Sequence, residues 1–348
     1  MLIEQLASFA PALFTQTIDD VDPAPVREWH MGGSSGFLTP AVGQALGVAR
    51  EPSDHESGPC INLAKNQTAA APLPSRRRAA PSGCMKSGAL LKEKINRHEP
   101  TYGVISTFHF WPGLVEIAMK AGLDYLIIDL EHLTHPAEMV ADACAIGRRE
   151  GFPILVRPAS AEFTTVRLAM DLGPCGLLIP YVQDLATMDE IRDAVHMKPR
   201  GRRRPGGPGN FWVKDYNYST WKKEFEDDLI ILPQIESKIG LENAEAIARH
   251  PITTAIAIGP YDLSADLGVC WQPESPELNG AIERIRQAGR AAGKNMWMIG
   301  DGPALTKRGF TFLCLTEPIM FLAASLGQLV QNTRTNAPAG PAPGMPLP

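Results

Sequence analysis

From Tyr102 onward, short apolar runs alternate with amphipathic stretches, and no other feature restricts the chain as much. Runs such as Tyr125-Leu126-Ile127-Ile128, Ile154-Leu155-Val156, Leu229 to Pro233 and Ala255-Ile256-Ala257-Ile258 contain no polar residue. A strand covered by helices on both faces reads this way, whereas a strand with one wet face alternates. The pattern predicts strands at 102–106, 124–129, 153–157, 176–181, 229–235, 254–259, 295–299 and 311–315. Amphipathic helices fall between them, near 112–121, 136–149, 162–172, 184–197, 239–249, 277–292 and 302–309, with a last one over 317–331. Eight strand–helix units in about 240 residues are the count and length of an α/β fold of the (β/α)8 TIM-barrel kind. A doubly wound open sheet is the competitor; it usually has fewer strands and often a glycine-rich first turn, and no GxGxxG occurs here.

The 348 residues divide unevenly. Residues 1–84 are rich in Pro, Ala, Gly and Ser and read as a low-complexity or disordered leader, with a possible short helix over Met1 to Phe14 and a linker over 69–83 that carries Arg76-Arg77-Arg78. Met85 is the expected native start, 85–335 the barrel, and 336–348 a Pro/Ala/Gly tail. A net charge of −5 gives no reason to expect nucleic acid. Cys60, Cys84, Cys144, Cys175, Cys270 and Cys314 are scattered without a CxxC pair, so neither a zinc knuckle nor a disulfide framework is expected, and Cys175 and Cys314 read as buried thiols. With no apolar run near ~20 residues and no basic, apolar signal region at the start, the chain is expected to be cytoplasmic and off the membrane.

One connection is too long for its place. Residues 198–228 hold Arg200-Gly201-Arg202-Arg203-Arg204, several glycines, and then Phe211, Trp212 and Trp221. A loop of that length inside a compact domain is usually functional. Leaving a helix, it starts at the bottom of the barrel, where its arginines are candidates for holding an anion.

Four predicted strands end on polar clusters, and strand carboxyl ends are where barrel enzymes keep their chemistry. Glu236 and Asp262 end the fifth and sixth strands, one unit apart, so they are expected to be rim neighbours. Two close carboxylates resist joint ionisation, and a shared divalent cation removes that cost. An all-oxygen site suits Mg²⁺ or Mn²⁺, whereas zinc favours His or Cys. The competing role for each acid is a helix cap, most plausible at Asp262. His132 and Arg157 end the second and third strands, again one unit apart: an imidazole to move a proton near neutral pH, and a guanidinium to hold a carboxylate or a developing oxyanion. His135 ranks behind His132. Of Asp129 and Glu131, one is expected to point inward and the other into the wall. No lysine ends an inner strand, which disfavours Schiff-base chemistry.

Five motifs in order carry a resemblance: Asp129-Leu130-Glu131-His132, Val156-Arg157-Pro158, Leu178 to Val182, Gln234-Ile235-Glu236, and Gly259 to Gly268. Together they resemble the HpcH/HpaI aldolase/citrate lyase family, over about 103–329. The resemblance implies a barrel of the phosphoenolpyruvate/pyruvate type and a class II aldolase that cleaves a 4-hydroxy-2-oxo acid to pyruvate, or a related 2-oxo acid, and an aldehyde. It implies Mg²⁺ or Mn²⁺, with Co²⁺ as a further candidate, on Glu236 and Asp262; His132 as general base; Arg157 as transition-state stabiliser; Asp171 as the carboxylate raising the histidine's basicity; and Gln234, Tyr261 and Asp262 at the substrate. It also implies a homo-oligomer, a hexamer or trimer of dimers, with exchanged C-terminal helices. The residues themselves place Asp171 at a helix end, where capping is the alternative. A simpler Pro-x-Gly-x-Arg-Gly turn is usual in that family where this chain has Arg200 to Pro205 and an aromatic-rich insertion. Rival readings are a CoA-thioester carbon–carbon lyase on the same barrel, using the arginine loop, and a non-catalytic barrel that binds a partner.

Overall fold

A computed structural model describes residues 87–204, 206, 207 and 217–336 of the protein. The leader, the start at Met85, the tail, and Phe211 and Trp212 of the long loop lie outside the described residues. Eight parallel strands close into a barrel in sequence order: β1 (Thr101–Ser106), β2 (Tyr125–Asp129), β3 (Ile154–Arg157), β4 (Gly176–Ile179), β5 (Ile230–Ile235), β6 (Ala255–Ile258), β7 (Asn295–Ile299) and β8 (Phe312–Cys314). Each strand ends within two residues of its sequence-based expectation. β8 returns to pair with β1, so no edge is left open.

Helices run α1 (Ser87–Asn96), α2 (Gly113–Lys120), α3 (Ala137–Glu150), α4 (Phe163–Asp171) and α5 (Leu185–Val195). After the long loop come α6 (Tyr218–Trp221) and a wide turn over Lys222–Glu226, then α7 (Lys238–Glu242), α8 (Ala244–Arg249), α9 (Pro260–Asp266), α10 (Pro276–Ala291), α11 (Gly302–Lys307) and α12 (Pro318–Thr335). Their starts are set locally. Asp184, Ser237, Ser275 and Asp301 accept hydrogen bonds from the backbone N–H three residues on, at 2.8, 3.1, 3.2 and 2.6 Å. The apolar stripe of α10, Leu278, Ala281, Ile282, Ile285 and Gly289, repeats at helical spacing and is buried against the sheet. The single helix expected over 239–249 is two, broken at Asn243. Among the described residues no helix is long and apolar enough to cross a membrane.

Side chains of alternate residues fill the lumen: Ile105, Tyr125, Ile127, Leu155, Leu178, Ile230, Leu232, Ala255, Ala257, Trp297, Phe312 and Cys314. Tyr125 occupies the space over Gly103, where any Cβ would overlap its ring. Its hydroxyl donates to the Leu313 carbonyl at 2.8 Å and accepts from Trp297 Nε1 at 2.9 Å, so both polar tips are satisfied in a dry core. Leu91 and Ile95 of α1 join this cluster and stopper the lumen from below. Only the carboxyl end remains for chemistry.

Candidate active site

The lumen-facing columns continue upward into polar residues. On β5, Ile230 and Leu232 are followed at the same two-residue step by Gln234 and Glu236; on β2, Tyr125 and Ile127 by Asp129; on β3, Leu155 by Arg157. A one-residue slip in any of these strands would turn its functional group into the helix layer.

Arg157 is the centre of this layer. Its Nε and Nη2 donate to the two carboxylate oxygens of Asp129 at 2.7 and 2.5 Å, a bidentate fork, and Nη1 lies 3.0 Å from Glu131 Oε2. Burial alone would raise the Asp129 pKa, but the fork outweighs it and holds the carboxyl below its ordinary value. Burial also works against the Arg157 charge, and the two carboxylates more than offset it. The expectation that Asp129 and Glu131 would diverge is corrected: residues two apart share a side, and both end on Arg157.

Glu236 is 4% exposed, and its carboxyl pKa is pushed up to about 8, by burial first and then by the charges of Glu131 and Asp262. Glu131 is raised as well, by burial, against the pull of Arg157. The charges of Glu131 and Asp262 thus both reach Glu236, and Arg157 counters them. The Glu236 side chain is held from two sides. Tyr181, in a left-handed backbone conformation at φ 53° just past β4, donates its N–H to Glu236 Oε2 at 2.9 Å. A Cβ at Gly259 would overlap the same carboxyl, so glycine is required there. Gly259 is also the N-cap of α9, which places Asp262 in that helix's first turn rather than at its cap.

His132 lies just beyond β2 with its side chain 54% exposed and Nε2 3.9 Å from Glu131 Oε2. It is accessible to a substrate and beside the carboxylate layer. His135 is set deeper: its Nε2 is buried without a hydrogen-bond partner, its ring meets Phe110 edge-on at 6.0 Å, and burial lowers its pKa. Gln234 is 3% exposed and its Oε1 is buried without a partner, an acceptor awaiting a donor. Tyr261 turns its ring toward Trp271, edge-on at 6.4 Å, and its hydroxyl pKa is raised by burial to about 12.

Asp171 is not in this group. It is the last residue of α4, which descends from β3, so it sits at the amino end of the barrel, opposite His132. There it pairs with Arg203 Nη2 at 2.7 Å and Arg167 Nη1 at 2.9 Å. A dyad with His132 inside one chain is ruled out by that placement. The long loop stays at the same end in its described part. Arg202 meets Asp193 at 2.6 Å, and Arg200 meets Glu226 and Asp227 at 3.3 and 3.0 Å. These arginines are engaged by acids of the fold, away from the carboxylate layer.

A divalent cation fits the donor set. Among the described residues no three or more His, Cys, Asp or Glu side chains converge as a closed cage. Two carboxylates whose joint ionisation is opposed are what Mg²⁺ requires when water and substrate oxygens supply its remaining ligands. The orphaned Gln234 oxygen and the raised Glu236 carboxyl both mark a place where positive charge or a donor is missing.

The chain is similar to known proteins in sequence and fold. The profile of the HpcH/HpaI aldolase/citrate lyase family matches residues 109–299. A hydroxypyruvate/pyruvate aldolase of Pseudomonas aeruginosa is 30% identical over 262 residues, 71% of this chain and 94% of that protein. A 2-keto-3-deoxy-L-rhamnonate aldolase of Klebsiella pneumoniae subsp. pneumoniae is 29% identical over 221 residues, 62% of this chain and 79% of that one. The crystal structure of an HpcH/HpaI aldolase from Desulfitobacterium hafniense DCB-2 superposes with a TM-score of 0.66 at 28% identity, covering 72% of this chain and 99% of that one.

Proposed function

Since the chain belongs to the HpcH/HpaI aldolase/citrate lyase family, we propose that it is a carbon–carbon lyase that reversibly cleaves a 4-hydroxy-2-oxo acid to pyruvate, or a related 2-oxo acid, and an aldehyde. The observation that carries this reading is the excess of carboxylate at the barrel mouth: Glu236, Asp262 and Glu131 against Arg157. Relatives named as aldolases of pyruvate, hydroxypyruvate and a keto-deoxy sugar acid support the substrate class.

Glu236 and Asp262 would hold the divalent ion, Mg²⁺ or Mn²⁺ with Co²⁺ as a substitute. When bound, it supplies Lewis-acid polarisation of the 2-oxo group. The remaining work falls to the chain. Gln234 Oε1 accepts a hydrogen bond from the bound acid or its hydration. The Arg157 guanidinium, fixed by its fork to Asp129, offsets negative charge that gathers on the oxo oxygen as the C3–C4 bond breaks. His132 takes the proton of the 4-hydroxyl in cleavage and returns it in condensation.

The same reading takes the chain as a homo-oligomer. α12 has no buried residue, and it exposes Phe321, Leu322, Leu326 and Leu329 by 51–62%, an apolar surface suited to a second copy. Pyruvate with a panel of aldehydes, with and without chelator and with product masses recorded, tests the activity. Turnover indifferent to EDTA removes the ion from the scheme, and no product from any aldehyde removes the reaction.

A further inference from the structure

The amino end of the barrel carries a second feature that the proposed chemistry does not use. Below β7 and β8 a cavity of about 220 Å³ is lined by His98, Arg286, Arg290, Lys294, Phe310 and Thr311, among others. Arg286 and Arg290 are four residues apart on α10 and share a face. Lys294 follows in the turn before β7, and His98 in the turn after α1. Arg286 is fixed in the wall. Its guanidinium stacks on the Phe310 ring at 4.3 Å and donates to the carbonyls of Arg308 at 2.9 Å and Gly309 at 2.8 Å. Arg308 lies 5.5 Å from the same ring.

These cations have little counter-charge. Glu283, 3.6 Å from Arg286 and itself 43% exposed, is the one acid in ion-pair contact with the set among the described residues; Arg290, Lys294 and Arg308 have none there. Burial, then the neighbouring Arg290 and Arg308, hold the Arg286 pKa below its ordinary value, and burial does the same to Lys294. The contrast with the long loop is informative: at the same end of the barrel, Arg200, Arg202 and Arg203 each meet a carboxylate. A chain of net charge −5 that sets Arg290 and Lys294 without an acid partner beside Arg286 around one hollow has built a place for an anion.

The shape narrows its chemistry. Guanidinium forks and an ammonium match the oxygens of a phosphate group. Phe310 and Met296 add an apolar wall for a short carbon skeleton. The hollow is smaller than the ~300 Å³ at which drug-sized ligand pockets begin, so its occupant is small. We propose that this cavity binds a small phosphate-bearing anion, with Arg286, Arg290 and Lys294 on its oxygens. Asn295 at its floor donates to the Ile95 carbonyl at 3.2 Å and to Thr311 Oγ1 at 3.1 Å, tying α1, β7 and β8 together. A bound anion therefore braces the stopper of the barrel and stabilises the folded chain.

Calorimetry on the full chain, with inorganic phosphate and glycerol 3-phosphate as separate probes, tests this. One-site binding that weakens with added salt is expected, together with a higher melting temperature. Arg290→Gln and Lys294→Gln each lower the affinity at least about tenfold. Both leave turnover at the opposite end unchanged, and Arg202→Gln leaves binding unchanged. Tighter binding of glycerol 3-phosphate identifies an organic phosphate as the ligand; tighter binding of inorganic phosphate identifies the free anion. No binding of either at about 10 mM overturns the proposal. So does binding that survives both substitutions, or binding lost in Asp262→Asn, which would assign the anion to the barrel mouth.

Discussion

Two regions of the barrel, the amino end beneath α4 and α5 and the mouth, bury charged side chains and balance them differently. At the amino end beneath α4 and α5, buried charge is matched: Arg203, with its side chain fully covered, meets Asp171 at 2.7 Å, and Glu226, also fully covered, takes the Met197 N–H at 2.7 Å and Arg200 at 3.3 Å. At the carboxyl end, Glu236 faces two further carboxylates and its pKa climbs to about 8. Matched pairs hold a fold together only modestly, since desolvation cancels much of their attraction. Unmatched charge is a cost kept for a ligand. A perturbed carboxylate in a mouth is thus a functional marker in a way that a buried ion pair is not.

Substitution can break this contrast. The largest loss is expected from Glu236→Gln or Asp262→Asn, either of which removes a proposed ion ligand: turnover falls by about 10³ or more, the scale of losing a main electrostatic stabiliser. The same Glu236→Gln raises the melting temperature of chelator-treated protein, because it deletes a buried repulsion. Loss of activity together with loss of stability would mean the acid is structural. His132→Ala is expected to cost about 10²–10⁴ in turnover with an unchanged urea midpoint, as its side chain is 54% exposed. Near-native turnover in that variant would strip His132 of its role.

Beneath α4 and α5 the effects belong to stability. Arg203→Ala leaves Asp171 with Arg167 alone and empties a site against Trp221 and Phe225. A loss of about 3–5 kcal/mol is expected in urea unfolding. A smaller effect comes from His196, whose imidazole pKa is lowered to about 4, by burial first and then by Arg200 and Lys92. Between about 6.5 and 4 the unfolded chain binds a proton that the folded chain refuses. Stability therefore falls as pH drops through that window, by up to roughly 3 kcal/mol. Unfolding curves for the native chain and His196→Gln converging at pH 7 and parting at pH 5 would bear this out.

Much of this was legible in the residues because period-two geometry is strict. Apolar runs marked the strands, and the positions of Arg157 and Glu236 followed from where those runs end, whereas Gln234 came from the resemblance. The same rule, misapplied, separated Asp129 from Glu131, although a two-residue step returns to the same side. What failed to show lies in the backbone and in long-range pairing. Nothing local announces that Tyr181 adopts φ 53° to aim its N–H at Glu236, or that Gly259 clears room for the carboxyl opposite. Gly259 did carry a signal, a glycine directly after an apolar run and before a proline. The Asp171 role came from resemblance alone, and its neighbour in space, Arg203, is 32 residues away in the chain.

The stopper formed by Leu91 and Ile95, with Tyr125 and Trp297 packed above it, makes the barrel a cup rather than a tube. A catalyst that splits one molecule inside a cup has a single doorway for entry and for both fragments. The piece lodged deeper waits for the outer one to depart. Under the proposed cleavage that single doorway predicts a fixed order of product release, and product-inhibition patterns test it.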